Sequence, residues 1–289
     1  MSSKKSVNLY SRIVDNIIDV PYVFKDGFNY LCLDCKEFPF SIYTHDEEDD
    51  GLYSQLVSLT ESGLFIFDIK STGVRLTQYQ YSDIILMKKS NNTDNATIII
   101  EGYFNRRLFQ SKIEFDTSQG YIFDILLNNI RLKGNLPETN SDENAYGFLK
   151  LGFLKNLNPR IYDLAVQCQM PNRSIKNIVF QKKLLIRKLK ILKKAVIMSH
   201  VVILTEDEII VIEEGRKKSK EPGLNFGGCW YFIPINNIIS IDISSNDNFL
   251  LWFTLKLKGD EDVKFIFENG LKHELEKFVE AAHYMYQMK

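Results

Sequence analysis

The chain has 289 residues, 45% hydrophobic and 25% charged, with a formal net charge of −1 at pH 7. That balance excludes the disordered and fibrous classes, and the length suits two domains of ordinary size. No apolar run reaches the roughly 20 residues that span a bilayer, residues 1–8 carry no apolar leader, and Cys32, Cys35, Cys168 and Cys229 are too scattered for a disulfide framework, so a cytoplasmic address is expected.

In chain order, Arg12-Ile13-Val14-Asp15 with Pro21 reads as a short helix leading into a block of strands. Leu56–Asp68 is two β-rich runs joined by a tight turn at Thr60-Glu61, which predicts a hairpin. Tyr81–Ile85, Ala96–Gly102 and Lys112–Asp116 continue the block. Over Thr117–Leu132 the period changes: Tyr121, Ile122, Ile125, Leu126 and Ile130 recur at helical spacing, with Thr117 and Ser118 as caps. Gly134–Asn144 is polar, contains Pro137 and has the composition of a linker.

From there the series begins again. Arg160-Ile161-Tyr162-Asp163 with Pro171 answers the first short helix, and Val201–Glu213 lies over Leu56–Asp68 without a gap, sharing Leu, Thr and Glu. Ile235–Ile239 answers Tyr81–Ile85, Trp252–Gly259 answers Ala96–Gly102, and Lys264–Glu268 answers Lys112–Asp116. Leu271, Leu275, Phe278, Val279 and Ala282, after Asn269-Gly270, repeat the closing helix. Collinear matches of this kind make the chain two diverged copies of one unit of about 145 residues, each a helix, then strands, then a helix. The expected division is a first domain over residues 1–133 with an N-terminal helix, a linker over 134–157, and a second domain over 158–289 with a leading helix.

Short antiparallel strands ended by one amphipathic helix suit a curled sheet whose open end the helix plugs. The pattern resembles the pleckstrin-homology-like (PH-like) fold. The likeness is strongest in the second copy, where Leu204–Ile212 is followed by Trp230–Ile241 with Ile-x-x-Ile at Ile235–Ile238, as in bacterial members. The resemblance implies a mainly β protein with helices: two PH-like barrels in tandem, each an antiparallel curled sheet capped by a C-terminal helix. It further implies a non-catalytic binding or adaptor protein that engages a protein partner or an anionic surface, although a fold alone does not fix a ligand.

Charge is unevenly placed, net acidic before about Asn144 and net basic after it. The basic stretch Lys182-Lys183-Leu184-Leu185-Ile186-Arg187-Lys188-Leu189-Lys190-Ile191-Leu192-Lys193-Lys194 is the leading anion-binding candidate, its cations suited to phosphate or to an anionic lipid surface. The same residues also read as a solvated strand face or as a basic amphipathic helix. Arg216, Lys217 and Lys218 extend the candidate set in the long loop Gly215–Gly228, which lacks the Gly-Lys-Ser/Thr ending of a P-loop. At the aligned place in the first copy stands the acidic run His45–Asp50, which lacks calcium-loop spacing and reads as a solvated loop; pairing of that run with the basic stretch of another copy would give self-association.

Cys32-x-x-Cys35 has no second pair, so no metal or cofactor is assigned. His45, His200, His273 and His283 form no recognisable relay, and no nucleophile elbow or dinucleotide fingerprint is present, so no catalytic residue is assigned. Two alternatives stand beside the adaptor reading. One is an enzyme with a site between the two domains; the other is binding to a membrane surface or phosphate ligand through residues 182–194, which would place the protein peripherally at the membrane. Near-neutral charge and the lack of a basic–aromatic motif argue against nucleic acid.

Overall fold

The computed structural model describes residues 9–33, 35–46, 53–70, 72–91, 95–134, 144–168, 173–189, 192–215, 227–245 and 249–287. The molecule is mainly β, its strands antiparallel, with five α-helices among the described residues. It divides into two compact units, one comprising Met1–Ile84 and Thr93–Leu136, the other Ile85–Asn92 and Pro137–Lys289.

In the first unit, β1 (Leu9–Val14), β2 (Phe40–Asp46), β3 (Ser54–Leu59), β4 (Leu64–Lys70) and β5 (Gly73–Tyr79) form an open antiparallel sheet in chain order, with β1 and β5 as its edges. The helix α1 (Tyr22–Cys32) lies between β1 and β2 in sequence. It buries Phe24 and Phe28 in a cluster with Val14, Val20, Leu56, Phe65 and Phe67. Every residue of β3 and the first four of β4 are buried, as expected of a sheet covered on both faces.

Residues Arg12–Val14 belong to β1 rather than to the helix expected there. They pair residue by residue with Tyr43, Ile42 and Ser41 of β2, and the neighbouring Ser11 hydroxyl meets Thr44 Oγ1 at 2.9 Å. The helix begins only after Pro21, whose missing N–H costs nothing at a helix start.

After a 3-10 turn at Tyr81–Asp83 comes β6 (Ile84–Asn91), then the hairpin of β7 (Asn95–Phe104) and β8 (Arg107–Asp116), and α2 (Gly120–Gly134). Burial along β7 alternates strictly through Ala96, Ile98, Ile100 and Gly102, so this hairpin offers one face to the core. Helix α2 closes that core with Ile122, Phe123, Leu126, Leu127 and Ile130, and the Phe123 ring stacks on Phe115 at 3.9 Å. The expected stripe is thus rotated by about one residue, because Tyr121 and Ile125 face outward. Its lead-in is capped by Asp116, whose carboxylate accepts from the Ser118 amide at 2.7 Å, rather than by Thr117 or Ser118.

In the second unit, α3 (Asn144–Leu157) occupies part of the stretch read as a linker. Leu151 and Leu154 are buried on it, and Lys150 donates its ammonium to the Ile175 carbonyl. Helix α4 (Pro159–Cys168) follows and buries Ile161, Leu164, Ala165 and Cys168. The strands β9 (Ile175–Gln181), β12 (His200–Thr205), β13 (Glu208–Glu214) and β14 (Gly228–Pro234) pair in that order, and β6 joins beyond β14. Between β9 and β12 the chain makes the hairpin of β10 (Leu184–Leu189) and β11 (Leu192–Ile197). A 3-10 turn at Ile235–Asn237 leads to the meander β15 (Ile238–Ser245), β16 (Leu250–Leu257) and β17 (Asp262–Glu268), and α5 (Lys272–Gln287) closes this core with Leu275, Phe278 and Ala282.

Candidate functional site

Of the predicted basic residues, Lys182 and Lys183 are exposed just after β9, and Lys182 Nζ lies 3.8 Å from Glu268 Oε1. Arg187 and Lys188 lie on β10, Lys193 and Lys194 on β11, so the stretch is a strand hairpin and not a helix. Leucine and isoleucine fit both periods in runs this short, and pairing across the hairpin decides between them. The register sets Arg187 opposite Lys193. Lys190, Arg216, Lys217 and Lys218 lie outside the described residues, as do residues 47–50 of the acidic run. His45, which precedes that run, stacks on the Tyr43 ring at 5.0 Å.

Cys32 is the last residue of α1 and Cys35 lies three residues beyond it, neither in a disulfide. Cys35 Sγ donates to the Leu31 carbonyl at 3.4 Å, while burial, and then the neighbouring Cys35, push the Cys32 thiol up from its ordinary value. Among the described residues no group of three or more His, Cys, Asp and Glu side chains is placed to hold a metal ion. No helix among them is long and apolar enough to cross a membrane.

A groove of about 600 Å³ that the sequence did not flag lies in the first unit. It is lined by Tyr30 and Leu31 of α1, Phe38 of the following loop, Phe40 at the start of β2, and Leu76 and Gln78 of β5. The β3–β4 turn supplies Thr60, Glu61 and Ser62, and the end of α2 supplies Asn129 and Lys133. The lining therefore mixes aromatic and aliphatic surface with both signs of charge.

The turn at one end of the groove is fixed from several sides. Thr60 Oγ1 accepts from the Ser62 amide at 3.1 Å and the Gly63 amide at 3.2 Å. The Thr60 carbonyl accepts from the Tyr81 hydroxyl at 2.7 Å and from Lys133 Nζ at 2.9 Å. Burial pushes the Tyr81 phenol well above its ordinary range, so it stays a donor. Lys133 also sits 5.5 Å from the Tyr81 ring centroid, which holds its charge at the groove end rather than free in solvent.

Thr205 in the second unit repeats the turn, its Oγ1 accepting from the Asp207 and Glu208 amides at 3.4 and 3.2 Å. Equivalent registers follow: Leu64 pairs with Tyr79 as Ile209 pairs with Ile233. Leu76 and Gln78 therefore correspond to Trp230 and Phe232. Both of those aromatics are only 3% exposed, and Trp230 Nε1 donates to the Leu164 carbonyl of α4 at 3.2 Å. Leu76, by contrast, is 40% exposed. Smaller and more polar residues at these two places leave the first unit a groove where the second has packed core. No protein-family model matches the chain, and no curated protein is significantly similar to it. The site rests on geometry. The one signal for it in the sequence is the contrast of Leu76 and Gln78 with Trp230 and Phe232, visible only once the two strands are placed in register.

Proposed function

We propose that the chain is a non-catalytic binding protein, two PH-like units in tandem, that engages a protein partner through the groove of the first unit. The PH-like reading is supported by a shared element order: after a strand sheet, a 3-10 turn, three strands, a second 3-10 turn and a closing helix recur in both halves of the sequence. Each open sheet then acts as a curled half-barrel stoppered by α2 or α5. The docking function is carried by one observation, the groove at Leu76 and Gln78 whose counterpart is filled by Trp230 and Phe232. A rigid scaffold duplicated in one chain, with one copy packed solid and the other left open, suits recognition more than further stabilisation.

Filling the groove as the second unit does is the direct test. A protein captured by the chain from cell extract, identified and rebound in purified form, loses at least about tenfold in affinity to the Leu76→Trp/Gln78→Phe variant. Equal binding by that variant overturns the reading. Retention of the chain on phosphatidylserine vesicles at low salt, lost on reversing the charge of Lys182 and Lys183, with no protein captured, would assign the function to the anionic surface instead.

A further inference from the structure

We propose that the edge of β5 takes up an extended segment of a protein partner as an added antiparallel strand, an apolar side chain of that segment entering the groove opposite Gln78. The proposal deepens the docking function above and rests on it.

The chain itself provides the precedent. β14 holds the place of β5 in the second unit, following the equivalent strand and preceding the equivalent 3-10 turn. Its outer edge carries β6: Met87, Lys88, Lys89 and Ser90 pair antiparallel with Phe232, Tyr231, Trp230 and Cys229. Side chains directly opposite in an antiparallel pair share a face. Met87 accordingly lies on the face of Phe232 and is buried, while Lys89 lies on that of Trp230, 5.2 Å from its ring.

On β5 the same two places are Gln78 and Leu76, both exposed, and among the described residues no strand lies beyond them. Edge strands are commonly guarded by proline, bulges or outward lysines. β5 has none of these: its register with β4 runs without a bulge from Gly73 to Tyr79, and its one cation, Arg75, is laid on the Phe109 ring at 4.4 Å. An edge of this kind presents a line of main-chain donors and acceptors, which a peptide backbone satisfies and a lipid headgroup does not. The groove then supplies specificity. A residue opposite Gln78, where β6 places Met87 in the second unit, stands at the groove that Gln78 lines together with Tyr30, Leu31 and Phe38. A side chain opposite Leu76 takes the place that β6 gives Lys89 in the second unit.

The test selects short random peptides on the full chain and measures the best synthetic peptide by fluorescence anisotropy and amide hydrogen exchange. Slowed exchange within residues 73–79, and a loss of about tenfold in affinity with Gln78→Lys, is the expected result. Gln78 is exposed, and an unchanged unfolding midpoint shows that the variant keeps its fold. A peptide that binds in the groove while β5 exchanges as before overturns strand addition and leaves the docking function standing. Recovery of no binding peptide overturns both. A concentration-dependent dimer with slowed β5 exchange and no peptide bound would give the edge to a second copy of the chain and overturn the proposal as well.

Discussion

At the scale of single residues, Thr60 and Thr205 show how little sequence is needed to fix a turn. Each hydroxyl satisfies two amides that would otherwise be left bare behind a buried strand end. Thr60→Val and Thr205→Val should each lower unfolding free energy by about 1–3 kcal/mol in urea titrations, the cost of leaving buried donors unpaired. Gly63 has a different reason for its identity, since a methyl group there would lie 2.3 Å from the Tyr79 carbonyl oxygen. Gly63→Ala should cost a further class of energy, about 1–3 kcal/mol of overpacking, measured the same way. His200 is buried against the Phe267 ring at 4.6 Å, with Nδ1 3.0 Å from the Met198 carbonyl. Burial first of all lowers its pKa from 6.5 to about 4. The unfolded chain therefore binds a proton at His200 before the folded chain does. Its contribution to stability is complete above pH 6.5 and is lost as pH falls towards about 4, by on the order of 3 kcal/mol in all. Urea midpoints between pH 7 and pH 4.5 would show this fall, and a His200→Phe variant should show less of it.

At the scale of elements, periodicity identified the closing helices and hairpins but not which faces they cover. The buried runs Leu56–Leu59 and Val201–Leu204 show no alternation, and α1 packs Phe24 and Phe28 over Leu56 while α4 packs on β13 beside the second run. Arg12–Val14 illustrates the limit from the other side. Ile13 and Val14 are β-branched and favour strands, and pairing with β2 made a strand of a stretch whose likeness to Arg160–Asp163 had suggested a helix. Within α1 the two faces separate stability from recognition. Phe28 is fully buried, whereas Tyr30, two residues on and lining the groove, is 78% exposed. Phe28→Ala should cost about 3–5 kcal/mol. Tyr30→Ala should leave the unfolding midpoint nearly unchanged, within about 0.5 kcal/mol, while weakening partner binding. Equal stability losses in the two variants would show that Tyr30 is a packing residue.

At the scale of the whole molecule, the second unit is not continuous in sequence. It includes Ile85–Asn92, whose Ile85, Leu86 and Met87 are buried and whose backbone pairs with β14. A fragment beginning at Pro137 would lack that strand and bare the edge next to Trp230 and Phe232. It should self-associate in sedimentation velocity at concentrations where the full chain does not. The mainly β character, the hairpins turning at Thr60 and Thr205 and the closing helices α2 and α5 were legible in the residues alone, because hydrophobic period, turn residues and helix stripes are local properties. Packing was needed to show where residues 85–92 belong, that α3 lies within residues 134–157, and that the first unit keeps a groove at Leu76 and Gln78 while Trp230 and Phe232 are buried in the second. Those outcomes depend on which side chains meet across strands far apart in the chain: Leu76 and Gln78 look unexceptional until their strand is set beside the one on which the second unit holds two buried aromatics.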